Sequence, residues 1–277
     1  MTAKFWYNGK LSNSPTLEIA PDDPGLIYGA TAFTTMRVYG GHLDHPLTYW
    51  SGHCQRLKAT LAAFQWPEPD WDLVRQGAHI LSHTWPVIRI TIFPDGRELI
   101  LGRNLPPELV TKQSEGIRAA VVSGPEFERW LPHRKSGNYL GSYLALQEAQ
   151  RLGATEAILI DKDGNWLETS TGNLWGWGDG SWWTPPLEEG ILPGLMREQM
   201  MGWLLAFGER VQEEPWSEPV VARLEAIGHS NSAIELVPLR EILTPKGTIS
   251  RPPQHPAWEK WRRFFSPHPP NSQIKLT

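Results

Sequence analysis

Apolar positions along the chain recur with two periods. Trp50, Cys54, Leu57, Leu61 and Phe64 follow steps of four, three, four and three, which lines one face of a helix, and Trp66-Pro67 ends it. A second helix is predicted over 70–83. Phe5-Trp6-Tyr7, Asn8-Gly9 and Lys10-Leu11 read as strand, tight turn and strand start. Residues 30–39 read as a strand that Gly40-Gly41 turns back. Val87 to Phe93 and Arg97 to Leu101 are predicted as a hairpin about Pro94-Asp95-Gly96. Periodicity is then lost from 102 to 116. We read a linker at 107–116, between an N-terminal α/β domain (1–106) and a C-terminal α/β domain (117–277).

The second half opens with a strand over Ile117–Val122. The stretch Ser123–Arg134 has no pattern and reads as a surface loop passing near whatever site lies between the domains. Helical spacing returns through Leu140, Leu144, Ala145, Ala149 and Leu152, with Gly153 as cap. Strands are predicted at Glu156–Asp161 and Trp166–Thr169, turning at Asp163-Gly164. Another pair, Asn173–Trp177 and Trp182–Thr184, turns at Asp179-Gly180. Pro193-Gly194 opens a helix through Met196, Met200, Trp203, Leu204 and Phe207. Ser217-Glu218-Pro219 reads as the start of a short helix, and Ala233–Val237 as a short strand. The tail after 245 is rich in Pro and basic residues and shows little pattern. The fold class expected is mixed α/β (α+β).

Composition narrows the classes. A chain of 277 residues with 40% hydrophobic and 20% charged residues supports a sizeable core. A net charge of −4 gives no indication of nucleic acid or an anionic membrane as partner. Cys54 is the single cysteine, so no internal disulfide can form, which agrees with a reducing compartment. Met1 leads into a stretch without the apolar core of a signal peptide, and no apolar run reaches the length of a membrane span. The expectation is a cytoplasmic protein. The histidines lack metal-ligand spacing, so no metal is predicted. The 15 tryptophans are scattered and read as packing.

Three constellations carry candidate chemistry. Lys135 stands after an irregular loop and before a helix start, where an amine can point into a cleft; a desolvated lysine is a nucleophile for carbonyl groups. Glu168 ends an apolar strand and precedes Thr169-Ser170-Thr171-Gly172-Asn173; such a carboxylate can pair with a pyridine nitrogen. Ile191 to Arg197 places Pro193 and Gly194 at a helix start, whose free N–H groups make an anion site. Arg56, on the helix behind His53, is the natural arginine for the same phosphate, and Ser232 can add a hydroxyl. His53 and Cys54 themselves read as core residues.

Four motifs in order resemble the class IV, fold-type IV pyridoxal phosphate enzymes over about residues 4–240. They are Tyr28-Gly29 through Phe33-Thr34-Thr35-Met36-Arg37-Val38; His53 to Leu57; Lys135 to Tyr139; and Glu168 to Asn173 followed by Leu192 to Arg197. The resemblance implies two α/β domains with pyridoxal 5'-phosphate between them, in a homodimer. It implies that Lys135 is the Schiff-base lysine and proton shuttle, and that Glu168 pairs with the pyridine nitrogen. Arg56, the backbone of Leu195 and Met196, and Ser232 would bind the phosphate, with Asn173 supporting the site.

Within that family, Phe33 to Val38 is similar to the lyase pattern, as are the spacing from Lys135 to Asn138 and the methionine at 196. Tyr139 after Asn138 is similar instead to the branched-chain aminotransferases, and the arginine-glycine pair of many lyases is missing after the strand at 87–93. The reading is a 4-amino-4-deoxychorismate lyase of folate synthesis, with an aminotransferase for branched-chain or D-amino acids as the alternative. A substrate with two carboxylates calls for cationic contacts. Arg89, Arg97, His133 and Arg134 are the candidates, beside Phe33, Thr35 and Arg37 in the first motif.

Overall fold

The computed structural model describes residues 4–266. Met1 to Ala3, which opened the signal-peptide reading, and the last part of the Pro-rich tail lie outside the described residues.

Residues 4–103 build an antiparallel sheet covered on one face by helices. Its elements are β1 (Phe5–Tyr7), β2 (Lys10–Ser12), α1 (Pro24–Ile27), β3 (Ala32–Arg37), α2 (Trp50–Phe64), α3 (Trp71–Ser82), β4 (Val87–Ile92) and β5 (Glu98–Arg103). The strand order is β2-β1-β5-β4-β3. Alternation sorts the side chains of the sheet. Ala32, Met36, Ile88, Ile90 and Ile100 pack with Leu57, Leu61, Val74 and Ala78 of the two long helices. The opposite face holds Phe33, Thr35, Val87, Arg89 and Arg103, and these line a cavity. Asp70 caps α3 through the N–H groups of Asp72 and Leu73.

The stretch expected as a patternless linker carries a helix, α4 (Leu109–Glu115). Leu109 is its one buried residue, and one anchor leaves no period to detect.

A second, nine-stranded sheet follows, made of β6 (Ile117–Val122), β7 (Glu156–Ile160), β8 (Trp166–Thr169), β9 (Asn173–Gly178), β10 (Ser181–Thr184), β11 (Val211–Glu213), β12 (Ala226–Asn231), β13 (Glu235–Thr244) and β14 (Gly247–Ser250). Pairing runs β11-β10-β9-β12-β13-β6-β7-β8, and β8 pairs back onto β9, so six of these strands close a ring. Helix α5 (Leu140–Arg151) crosses over between the parallel strands β6 and β7. Helices α6 (Leu195–Ala206) and α7 (Glu218–Arg223) come later, and α8 (Trp258–Phe264) falls in the tail read as patternless.

Strand β12 was not expected; Gly228, His229 and Ser230 give it no apolar alternation. Its partner β13 runs well beyond the short strand predicted at 233–237. Trp258 and Trp261 of α8 pack with Trp175 and Trp182 and with Met196 and Met200 of α6, while other tryptophans pack in the cores of the two sheets. Among the described residues no helix is long and apolar enough to cross a membrane.

Candidate active site

Lys135 is held by the backbone around it. The Phe33 N–H donates to the Lys135 carbonyl (2.9 Å) and the Gly137 N–H donates to the Thr31 carbonyl (2.6 Å), so this segment extends the edge beside β3. The lysine Nζ lies 4.9 Å from the ring centre of Phe33 and 5.0 Å from that of Tyr139, and donates to the Tyr139 hydroxyl at 3.3 Å. The residue keeps some surface, but its amine end is enclosed. Burial, then the charges of Arg56 and Arg129, hold its pKa well below the ordinary lysine range. The shift favours the free amine, the nucleophilic form, over the ammonium.

Glu168 ends β8 directly across from Asn173, which starts β9. Its carboxylate pairs with the Arg129 guanidinium and accepts from the Leu192 N–H (3.2 Å). Asn173 donates Nδ2 to the Leu192 carbonyl (2.8 Å), so both polar groups of Leu192 are fixed. Helix α6 begins three residues later without a side-chain cap, and Leu195 and Met196 in its first turn line the cavity. Its free N–H groups carry the positive end of the helix dipole. A Cβ on Gly194 would run into Asn173 Oδ1, so any larger residue there requires Asn173 or the start of α6 to shift.

Arg56 projects from α2 and donates Nη2 to Thr34 Oγ1 (2.6 Å), while its Nε is buried without a partner. Burial lowers its pKa to about 10. Ser232 sits in the turn between β12 and β13, which Asn231 braces by accepting from the N–H groups of Ala233 (2.9 Å) and Ile234 (3.1 Å).

Lys135, Glu168, Asn173, Arg56 and Ser232 line one cavity of about 500 Å³ between the two sheets, a size suited to a cofactor and a small substrate. The donor set fits pyridoxal phosphate. A buried guanidinium without a counter-ion and an uncapped helix start suit a phosphate. A neutral amine suits a carbonyl, and a fixed carboxylate suits a ring nitrogen.

Residues 31–242 match the family Amino-transferase class IV. The chain belongs to that family. It is accordingly a pyridoxal phosphate enzyme acting on a small molecule. The branched-chain-amino-acid aminotransferase of Salmonella typhimurium is 25% identical over 269 residues, 86% of this chain and 84% of that one. The aminodeoxychorismate lyase of Vibrio harveyi is 25% identical over 264 residues, 90% of this chain and 94% of that one. The crystal structure of the branched-chain amino acid aminotransferase of Escherichia coli superposes with a TM-score of 0.81 at 22% identity, covering 99% of this chain and 98% of that one. The mixed α/β fold is thus that of the class IV enzymes.

The cavity brings together Lys135, Arg56, Glu168, Asn173, Leu195, Met196 and Ser232, with Phe33, Thr35 and Arg89 on the sheet side. Four expected substrate contacts lie elsewhere. Arg97 pairs with Asp23 and Asp95; it sits at the hairpin end of β4 and β5, about 20 Å along the strand from Arg103. Arg37 shares the face of Phe33 and Thr35 on β3, but it pairs with Glu235 (2.7 Å) of β13 and stacks on Tyr39 instead of lining the cavity. Arg134 and the exposed His133 lie in the loop before Lys135 and do not line the cavity. Arg129, which holds Glu168, was missed, since nothing in the patternless loop 123–134 marks it. Arg103 was missed because it follows Gly102 at a strand end. His53 is a core residue as read, bonded to Thr34 through Nδ1 (2.5 Å). Burial raises the half-buried Cys54 thiol to about 11, which leaves it inert.

Proposed function

We propose that this class IV enzyme is a 4-amino-4-deoxychorismate lyase, releasing pyruvate and 4-aminobenzoate for folate synthesis. The observation that carries the reading is Arg89. Its guanidinium lies 3.6 Å from the ring centre of Phe33 on the cavity wall. Among the described residues it has neither a hydrogen-bond acceptor nor a counter-ion. Burial, then the charge of Arg103, lowers its pKa to about 10. An unpaired, half-buried cation favours a substrate carboxylate, whereas a branched aliphatic side chain favours an apolar wall.

When bound, pyridoxal phosphate supplies the electron sink. Arg56, the N–H groups of Leu195 and Met196, and Ser232 would hold its phosphate. Glu168, fixed by Arg129, would pair with the ring nitrogen. Asn173 keeps Leu192 and the start of α6 in register with that carboxylate. Lys135 Nζ takes the proton from the substrate carbon bearing nitrogen, and Tyr139 keeps Nζ in place. The bond to the enolpyruvyl oxygen then breaks, the ring becomes aromatic, and the leaving group takes up a proton to become pyruvate.

Transamination of branched-chain or D-amino acids is the second reading, supported by Tyr139 next to Asn138 and by the relative from Salmonella typhimurium. Incubation with 4-amino-4-deoxychorismate separates the two. Joint release of 4-aminobenzoate and pyruvate, lost in Lys135→Ala, is expected. A cofactor-loaded protein that releases neither, yet exchanges amino groups between amino and 2-oxo acids, is an aminotransferase.

A homodimer belongs to the same reading. Tyr28 (76% exposed), Trp130 (79%) and Leu140 (62%) supply apolar surface for a second copy. The single Cys54 fits a cytoplasmic setting.

A further inference from the structure

The cavity wall carries a second cation that the reading above does not use. Across the β4–β5 ladder Arg89 pairs with Leu101 and Val87 pairs with Arg103. Alternation therefore puts Arg89 and Arg103 on one face as diagonal neighbours, with backbones about 7–8 Å apart. Both line the cavity. Arg89 is half-buried and Arg103 is exposed towards the mouth. Among the described residues no carboxylate pairs with either and no acceptor takes their N–H groups. The Arg103 charge is close enough to contribute, after burial, to the lowering of the Arg89 pKa. Adjacent like charges on a strand pair repel, and an anion lying across both relieves the repulsion while gaining charge-assisted hydrogen bonds.

We propose that Arg103 is a specificity-determining residue that binds the second carboxylate of a dicarboxylate substrate whose first carboxylate lies on Arg89. The assignment rests on the function proposed above and narrows it to a dianion whose acid groups stand about a ring's width apart. A monocarboxylate uses Arg89 alone and leaves Arg103 in solvent.

Isophthalate and benzoate, an aromatic ring with two carboxylates or one, are the probes. Their dissociation constants are measured by calorimetry on the cofactor-loaded protein and on its Arg103→Gln and Arg103→Lys variants. Arg103 is exposed, so neither change disturbs the core. The expected result is isophthalate binding weakened about tenfold in Arg103→Gln, partly restored in Arg103→Lys, with benzoate changed less than about twofold. No binding of isophthalate to the parent protein, no change in the variants, or equal weakening of both probes would overturn the assignment. The lyase reading fails separately. Selective loss of isophthalate binding in an enzyme that makes no 4-aminobenzoate keeps the dicarboxylate site and removes the lyase. Release of 4-aminobenzoate with isophthalate binding unchanged in Arg103→Gln removes Arg103 alone.

Discussion

Replacing Arg56 by Met should move stability and cofactor affinity in opposite directions. Arg56 is a cation enclosed by protein, with one bond to Thr34, a partnerless Nε and, among the described residues, no ion-pair partner. The lowering of its pKa to about 10 corresponds to about 3 kcal/mol of unfavourable burial. Access of solvent from the cavity reduces that to about 2 kcal/mol. The sign follows from a folded-state pKa below the unfolded one. The cost is fully present at neutral pH and fades only as pH rises from the folded value towards the unfolded one. Methionine removes this cost and loses the bond to Thr34, worth about 1 kcal/mol. The cofactor-free protein should therefore gain about 1 kcal/mol, a rise of about 2–4 °C in Tm for a chain of this size. The affinity for pyridoxal phosphate should fall about ten- to a hundredfold, because charge-assisted bonds to the phosphate are lost. Thermal melts of the cofactor-free protein and absorbance titrations with pyridoxal phosphate measure both quantities. A fall of several degrees in Tm, or an unchanged affinity, would refute the view of Arg56 as a buried cation waiting for an anion.

Gly194→Ala should weaken cofactor binding by at least about tenfold, because the new Cβ displaces Asn173 Oδ1 and frees the Leu192 carbonyl; a titration within twofold of the parent would show that α6 tolerates the shift. Lys135 predicts two pH effects. Its folded pKa is depressed, so the unfolded chain binds more protons between that value and the ordinary lysine value near 10.4, and stability rises with pH across the window. The rate of cofactor uptake should likewise level off at a pH below the ordinary lysine value, whereas an ordinary lysine would show about a tenfold rise per pH unit up to that value. Stopped-flow absorbance reads this directly, and a rise that continues to about pH 10 would refute the depressed value.

Local signals in the sequence were enough to determine the long helices and the hairpin turns, and to mark candidates for the site. The spacing from Trp50 to Phe64 repeats because one face of α2 must be apolar to cover the first sheet. Asn8-Gly9 and Asp95-Gly96 turn the chain because Gly9 and Gly96 take positive φ. Lys135 and Glu168 stood out by their positions beside loops and at a helix start and a strand end, and Arg56 as the arginine behind His53 within a helix. Only the tertiary structure decided what each charge meets. Arg97 and Arg37 looked as available as Arg89, yet Asp23 and Glu235 neutralise them across separations of 74 and 198 residues. Arg129 reaches Glu168 from a loop without periodicity, and Arg103 joins Arg89 through strand register. Helix α8 and strand β12 were invisible for a related reason: their burial is supplied by distant tryptophans and by neighbouring strands. A sequence period records which face of an element is covered. It does not record which remote charge or ring covers it, and that pairing separates a substrate-binding arginine from one spent on an ion pair.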